Sequence, residues 1–467
     1  MESISSSGCC RRASNVIRNF AKKYFEAAFY VYFAFVVFKS MLTATMIQVD
    51  WWSGRVESIL QLVALVMVMW KAASGDLWTT REKILAAFLS GSLLLSWHSY
   101  SYAFIDELAV LIFLAHGMEF RKILTVHLTV SVAVTLVAVI LALSGRIENL
   151  TYYQEAHNYR ARMAFGFVYP TDFCAHLFFM ALSYVWLRLR RIRWIEIAAI
   201  AALGIFSWVG CDARTTALLF ALLVLYLGIM KIRSYIVSSG KSKETPKFSR
   251  HTLPDSHTNT VGKSADNLVT TSESQITQES SAHRRKTVLF TCVRNWIDRL
   301  VVLSAPLFAA IMILMSRFYS ESSRFLRLVN KALNNRLYYA HIGFERYPVR
   351  LWAQKVEMRG AGRAVKHSSE YFFLDSSYVN ILLRLGLVVL AAVLLILVIT
   401  ANRERKTGDH LKLFLLFLII IACVIEHHLI EIQTNPFLLL VLAVDNGVRD
   451  DLRVSRTHMR EENWGRF

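Results

Sequence analysis

From Ile123 to Leu143 the chain carries no lysine, arginine or carboxylate, and apolar runs of this kind recur along most of its length. A helix needs about 20 such residues to cross the hydrocarbon core of a bilayer. With 467 residues, 55% of them hydrophobic, the chain holds more apolar surface than a soluble domain can hide. On this ruler about twelve spans are expected, over 27–46, 56–74, 84–97, 103–116, 123–143, 167–187, 194–210, 215–230, 300–319, 379–400, 411–424 and 435–445. Glycine and proline are sparse inside them, and the period-two alternation of a membrane barrel is absent. The expected fold is all-α, a polytopic membrane helix bundle.

The net charge of +19 does not indicate a nucleic-acid partner. Lysine and arginine gather at the ends of apolar runs, where they anchor helices at the membrane surface, and no basic helix interleaved with aromatics is present. The six cysteines are scattered, with Cys9 and Cys10 near the start and Cys174, Cys211, Cys292 and Cys423 in or beside apolar runs. They show no metal-binding spacing and read as buried thiols. The basic stretch from Arg11 to Lys23 leads into a full-length span without a small-residue cleavage site, so no cleavable signal peptide is expected.

Cytoplasmic loops of membrane proteins carry the excess of lysine and arginine. Placing the N-terminus in the cytoplasm puts Arg81, Lys83, Arg121, Lys122, the Arg188 to Arg193 cluster, the Arg403 to Lys406 cluster and the C-terminal tail on the inside. Both termini are then cytoplasmic. The expected organisation is a tail over 1–26, helices over 27–233, a disordered cytoplasmic linker over 234–286, a ninth helix over 287–319, a large extracellular loop over 320–374 between the ninth and tenth spans, further helices over 375–447 and a tail over 448–467. The linker is rich in serine, threonine and lysine and poor in aromatics.

This topology leaves two arginine-rich segments outside. One, over 145–166, carries Arg146, Arg160 and Arg162; the other, over 316–378, carries Arg317, Arg324, Arg327, Lys331, Arg336, Arg346, Arg350 and further cations, Arg363 and Lys366 among them. External guanidinium groups beside helix ends suit a phosphate-bearing substrate at the membrane surface. Arg160 and Arg162 precede Gly166, Pro170 and Thr171, a residue able to cap the helix that follows. Asp212 and Arg214 share one short turn, where they either neutralise each other or leave the guanidinium to a phosphate. Asp375 stands ahead of a span, as a helix cap or as a general base for a hydroxyl. Arg384 either snorkels or faces the bundle interior. Glu426 and Glu431 are placed to pair with external arginines or to contact sugar hydroxyls. His427 and His428 are adjacent, and on a helix two such rings do not easily reach one ion; the i,i+4 histidine pattern is absent, so no metal is expected.

In order, the chain carries Arg162-x-x-Phe165-Gly166-x-x-x-Pro170-Thr171, Asp212-Ala213-Arg214-Thr215, Asn335-Arg336-Leu337, Leu374-Asp375-Ser376-Ser377-Tyr378, Leu385-Gly386 and Glu426…Asn435-Pro436. This series resembles the Wzy-like repeat-unit polymerases of the O-antigen polymerase/ligase family, above all those of Gram-positive capsule and exopolysaccharide. The resemblance covers the membrane region from about Arg160 onward, and the first five spans fit by hydropathy alone. It implies a GT-C-like fold in the bacterial cytoplasmic membrane and glycosyl transfer at its outer face. A glycan on a polyprenyl diphosphate would be moved onto a new lipid-linked repeat unit, without metal or other cofactor. A flippase and a chain-length regulator of the same pathway would be the partners. By the same resemblance Arg162, Arg214 and Arg336 would clamp the diphosphate and Asp375 would take the acceptor's proton. Arg160, Arg324, Arg327, Tyr378, Glu426 and His427 would contact substrate. Ser376 stands where Asn is usual, Thr171 replaces Asn, and Asp212-Ala213 replaces a serine-rich lead-in. A ligase with a different acceptor and a transporter or flippase are the competing readings; a transporter would be expected to show internal repeats and charges midway through spans, and no repeat is visible.

Overall fold

The computed structural model describes residues 6–49, 54–73, 78–100, 102–153, 160–241, 293–360 and 371–445. Most of the expected linker, the C-terminal tail, Cys292, Arg363 and Lys366 lie outside them, and the side chains of Cys9 and Cys10 are likewise not described.

The described chain is mostly helical. Its first half runs α1 (Ser6–Ala44), α2 (Gly54–Ala73), α3 (Thr80–Ser99), α4 (Ala103–Leu114), α5 (Phe120–Leu143), α6 (Pro170–Arg188), α7 (Trp194–Val209) and α8 (Arg214–Lys241). After α9 (Val293–Arg317) come α10 (Arg324–Ala332), α11 (Arg336–Arg346), α12 (Ser377–Arg384), α13 (Leu387–Thr407) and α14 (His410–Ile425). Among the described residues the strand pairing is one antiparallel pair, β1 (Thr151–Tyr152) with β2 (Arg162–Met163), in the register Tyr152 to Arg162. Among the described residues six helices are long and apolar enough to cross a membrane: α1 from Lys22, α2 from Val56, α5, α8 as far as Ile236, α9 and α13. The expectation of a helical membrane protein holds at that level. Many of their large apolar side chains remain on the outer surface, among them Val31, Leu62, Leu136, Leu225 and Leu307, as lipid-facing helices require.

Charge inside this apolar assembly is paired. Lys39 of α1 bonds Glu57 of α2 at 2.6 Å and also Glu107 of α4, which ties three helices together where an isolated ion would be costly.

Two expected spans take a different form. The run over 379–400 is not one helix: α12 stops at Arg384, and Gly386 adopts φ +94° before α13 begins. The backbone groups freed by the break are met by the segment before it. Leu387 N–H donates to the Arg350 carbonyl at 2.9 Å and Gln354 N–H to the Arg384 carbonyl at 2.9 Å. The Gln354 amide donates to the Leu383 carbonyl at 2.8 Å, and Ser96 Oγ of α3 donates to the Leu385 carbonyl at 2.7 Å. Non-helical backbone is tolerated at membrane depth only when protein satisfies it in this way.

The run over 435–445 is not an α-helix either. Pro436–Val441 is a 3-10 helix with all six residues buried. It packs against α4, α5 and α13 and returns to the end where α14 starts, and there the Asp445 carboxylate accepts from Lys412 Nζ at 2.6 Å and from Trp186 Nε1 at 3.2 Å. A 3-10 helix rises about 2.0 Å per residue against 1.5 Å for an α-helix, so fewer residues cover the depth.

The ends of α1, α5, α7, α9 and α14 and the starts of α6, α8, α11 and α12 meet at one end of the bundle. Met46 N–H bonds the Gly166 carbonyl at 2.8 Å and Met163 N–H the Gly210 carbonyl at 3.3 Å. Both arginine-rich segments are therefore at this end. The short basic loops lie at the other, where Arg121 donates to the Leu187 carbonyl at 2.7 Å.

A Cβ on Gly386 would lie 2.3 Å from the Leu351 carbonyl oxygen, in a backbone conformation that side chains disfavour. Gly386→Ala is therefore expected to destabilise the protein by about 1–3 kcal/mol. The measurement is the thermal midpoint of the detergent-purified protein, which should fall by several degrees relative to Gly408→Ala, where a Cβ meets open space.

Candidate functional site: an arginine pocket with a carboxylate–histidine cluster beside it

Three tight turns build the pocket. In the first, β2 leads through Gly166 into α6. Gly166 has φ +84° and lies so close to α5 that a Cβ would stand 2.5 Å from the Ala138 carbonyl oxygen. The second joins α7 to α8, with buried Asp212 held at φ +48°. The third joins α10 to α11, with Asn334 at φ +54° and Asn335 at φ +65°. Asn330 braces it, donating from Nδ2 to Asn335 Oδ1 at 3.1 Å and accepting from Tyr338 N–H at 3.1 Å. Residues held in such strained conformations concentrate at functional sites.

Between these turns lies a pocket of about 390 Å³ lined by Arg162, Thr171, Asp212, Arg214, Lys331 and Arg336 with their neighbours. It brings together the three arginines singled out as a diphosphate clamp. Three helix N-termini also reach it: Thr171 is the second residue of α6, Arg214 the first of α8 and Arg336 the first of α11. Each brings the positive end of a helix dipole to it. Four cationic side chains thus face one lining carboxylate, Asp212, which Arg214 Nε approaches at 3.2 Å and Arg160 Nη1 at 3.9 Å.

The arginines are anchored largely by carbonyls. Arg160 donates to the Val209 carbonyl at 2.9 Å, Arg162 Nε to the Cys211 carbonyl at 3.3 Å and Arg336 Nε to the Ile425 carbonyl at 3.1 Å. Arg336 also has Asp375 Oδ2 at 3.8 Å and Glu426 Oε1 at 3.9 Å. Burial works against its charge, but these two carboxylates outweigh burial and hold its proton more firmly than usual. Arg162 is shifted the other way, by burial and by the like charge of Arg336, with Asp212 opposing. An anion in the pocket would relieve that strain on Arg162.

Asp375 does not cap α12, whose N-cap is Ser376; its nearest charged partner is Arg336. Thr171 does not cap α6, whose N-cap is Tyr169. Tyr378 departs from its expected role. It is fully buried and donates to the Ile420 carbonyl at 2.9 Å, so it packs α12 on α14 and does not face the pocket. Arg324 and Arg327 are exposed on α10, about two turns and one turn before Lys331; neither lines the pocket. Arg384 resolves to the interior reading, stacked over Tyr102 at 4.4 Å and bonded to Asn380 Oδ1 at 3.1 Å.

Beside the pocket, Glu426, His427, His428 and Glu431 meet Asp172 of α6. His428 Nδ1 is 2.7 Å from Glu431 Oε2, and His428 Nε2 is 3.6 Å from Asp172 Oδ1. Despite burial, Glu431 and Asp172 hold a proton on His428 well above the usual imidazole range. Burial is likewise outweighed at Glu431, where His427 and His428 bring its carboxyl down to about 2. Burial pushes Glu426 up to about 7 against the pull of Arg336. Burial and the charge of His428 push His427 down. The arrangement sets ionised and near-neutral groups side by side, the pattern from which acid–base sites are made. His428, Asp172 and Lys331 were not among the site residues expected from sequence. Asp172 has a legible signal, since it opens α6 two residues after Pro170.

Comparison with protein-family models, with curated proteins and with solved structures returned no match to this chain.

Replacing Arg336 by Met removes the guanidinium that Glu426 is buried against, and breaking a buried pair costs about 3–5 kcal/mol. The single variant should unfold at a clearly lower temperature. Arg336→Met combined with Glu426→Gln should recover part of that loss, and a purely additive double-mutant cycle would show the two groups to be uncoupled.

Proposed function

We propose that the protein is a glycosyltransferase that polymerises lipid-linked oligosaccharide repeat units for capsule or exopolysaccharide. It would act at the outer face of a bacterial cytoplasmic membrane, as a GT-C-like bundle of about 12 crossings with both termini in the cytoplasm. The observation that carries this reading is the convergence of Arg162, Arg214, Lys331 and Arg336 with three helix N-termini on one pocket. The arrangement suits a ligand with two linked phosphates, since guanidinium groups and helix N-termini both favour phosphate oxygens. The placement of both arginine-rich segments at the end opposite the short basic loops supports an external site. The 3-10 return of 436–441 would serve as the twelfth crossing, which keeps the C-terminus on the side of the N-terminus.

In the reaction, the donor is a glycan on polyprenyl diphosphate. The bond between its anomeric carbon and the diphosphate oxygen breaks, and the electron pair leaves with the diphosphate. Arg162, Arg214 and Arg336 stabilise that developing charge, and such preorganised donors are worth most where water is scarce. The acceptor hydroxyl of the next lipid-linked repeat bonds the anomeric carbon, and its proton passes to Asp375. Asp375 lies beside Arg336, its Oδ2 3.8 Å from Arg336 Nε. Glu426 and His427, beside the pocket, would contact acceptor hydroxyls. An apolar groove of about 670 Å³ between α1 and α5 ends at Ile47 and Val49, beside Met46, whose N–H bonds the Gly166 carbonyl on the segment leading from Arg162 to Thr171. It gives a polyprenyl chain an apolar path toward the pocket.

Arg214→Ala and Asp375→Ala are the test, made in a strain lacking the gene. Both proteins should reach the membrane, and long polymer should fall by at least about 10²-fold, the usual consequence of losing one charge-stabilising donor. Single repeats linked to lipid should accumulate. Polymer of normal length and amount in both strains would refute the assignment. Full-length polymer that stays on its lipid carrier without reaching a second acceptor class would indicate a ligase.

A further inference from the structure

On a helix, neighbouring histidines point apart. His427 and His428 are not on an α-helix: α14 ends at Ile425, Glu426 is extended at φ −113° and ψ 148°, and a 3-10 turn begins at His428. This backbone swings the two rings together, to 4.2 Å between centroids. The sequence-based objection to a shared ion therefore does not apply.

We propose that Asp172, His427 and His428 form a binding site for one divalent transition ion of the zinc class. One ligand atom from each of the three lies within 4.8 Å of the others. A tetrahedral site with bonds of about 2.1 Å has edges of about 3.4 Å, and His428 Nε2 stands 3.6 Å from Asp172 Oδ1. That separation is long for a hydrogen bond and close to the edge of such a site. His428 is buried, yet among the described residues its Nε2 has no hydrogen-bond partner, and neither does the buried Nδ1 of His427. Unpaired polar atoms at this depth are costly unless something occupies the space between them.

The surroundings are those of a metal site. His428 Nδ1 is fixed by Glu431 Oε2 at 2.7 Å, the carboxylate–histidine arrangement that sets the tautomer and aims Nε2 outward at an ion. Asp172 is held from its backbone, whose carbonyl accepts from His176 Nδ1 at 2.8 Å, and His176 Nε2 in turn meets Thr434 Oγ1 at 3.2 Å. Two imidazoles and one carboxylate suit Zn²⁺, Co²⁺ and Fe²⁺ over Mg²⁺ or Ca²⁺, which take oxygen ligands. Three protein ligands also leave a fourth position free for water or another ligand. An ion here would pin the segment after α14, which carries Glu426 to its place opposite Arg336. The proposal does not depend on the polymerase reading.

The test uses the full chain, purified in detergent with an affinity tag that contains no histidine and stripped with chelator. Co²⁺ is added as a spectroscopic probe, and Zn²⁺ affinity is read by its displacement. The wild-type protein should bind one equivalent more than His428→Ala or Asp172→Asn, with the visible absorption of a four- or five-coordinate Co²⁺ centre. Glu431→Gln, which leaves all three ligands in place, should weaken binding by about 10–100-fold. Zn²⁺ should also raise the thermal midpoint of the stripped wild type and leave that of Asp172→Asn unchanged, a readout that holds even if His428→Ala fails to fold. A wild type that binds no more Co²⁺ than Asp172→Asn, or whose midpoint does not respond to Zn²⁺, would overturn the site.

Discussion

The buried guanidinium of Arg336 decides where three other elements lie. Its Nε bonds the last carbonyl of α14, and its other faces meet Asp375, just ahead of α12, and Glu426, just after α14. An ion taken out of water costs several kcal/mol unless it is paired. The turn between α10 and α11 therefore cannot swing away from the bundle without stranding Glu426. A stretch that reads as a basic insert between membrane helices is, at this point, a fixed wall of the pocket.

The same economy explains how so much positive charge is kept without being neutralised. Arg160 and Arg162 are held by carbonyls at and just after the end of α7, and Arg336 by the end of α14. These are the negative ends of helix dipoles. The positive ends of α6, α8 and α11 face into the pocket. Dipoles thus help to hold the guanidinium groups in position; Asp212 is the carboxylate in the lining, and Asp375 and Glu426 lie beside Arg336. Burial loosens the hold of Arg162 on its proton, Asp212 works against that, and the like charge of Arg336 adds to it.

Hydropathy made the helical membrane architecture legible, because apolar runs must be satisfied within one segment in lipid. It failed where tertiary contacts replace helical hydrogen bonds. Leu385-Gly386 was visible in the sequence, but the partners that make a break tolerable, Ser96 and Gln354, are far from it along the chain. The 3-10 run after Asn435 looks like any short span by composition, and only its burial among α4, α5 and α13 distinguishes it. At the site, Arg162, Arg214 and Arg336 were legible as cations beside helix ends. Tyr378 was misread, since nothing local announces that its hydroxyl reaches Ile420. His428 was passed over because adjacency was judged by helical geometry, and the end of α14 at Ile425 removes that geometry.

These departures bear on one another. Ser377 Oγ donates to the Glu426 carbonyl at 2.5 Å and accepts from Leu429 N–H at 3.2 Å, so the start of α12 is bound to the segment that carries the histidines. Its far end is fixed by the break at Gly386. A helix of eight residues held at both ends has little freedom to slide or rotate. Asp375, one residue before its cap, inherits that rigidity. A continuous helix from Ser377 to Thr407 would take its orientation from the packing of its whole apolar length. The break separates the two tasks: α13 answers to the membrane and its neighbours, while α12 answers to Glu426 and Arg336. On the proposed reading Asp375 must stand within a fraction of an ångström of the acceptor's proton, and that independence would supply the precision.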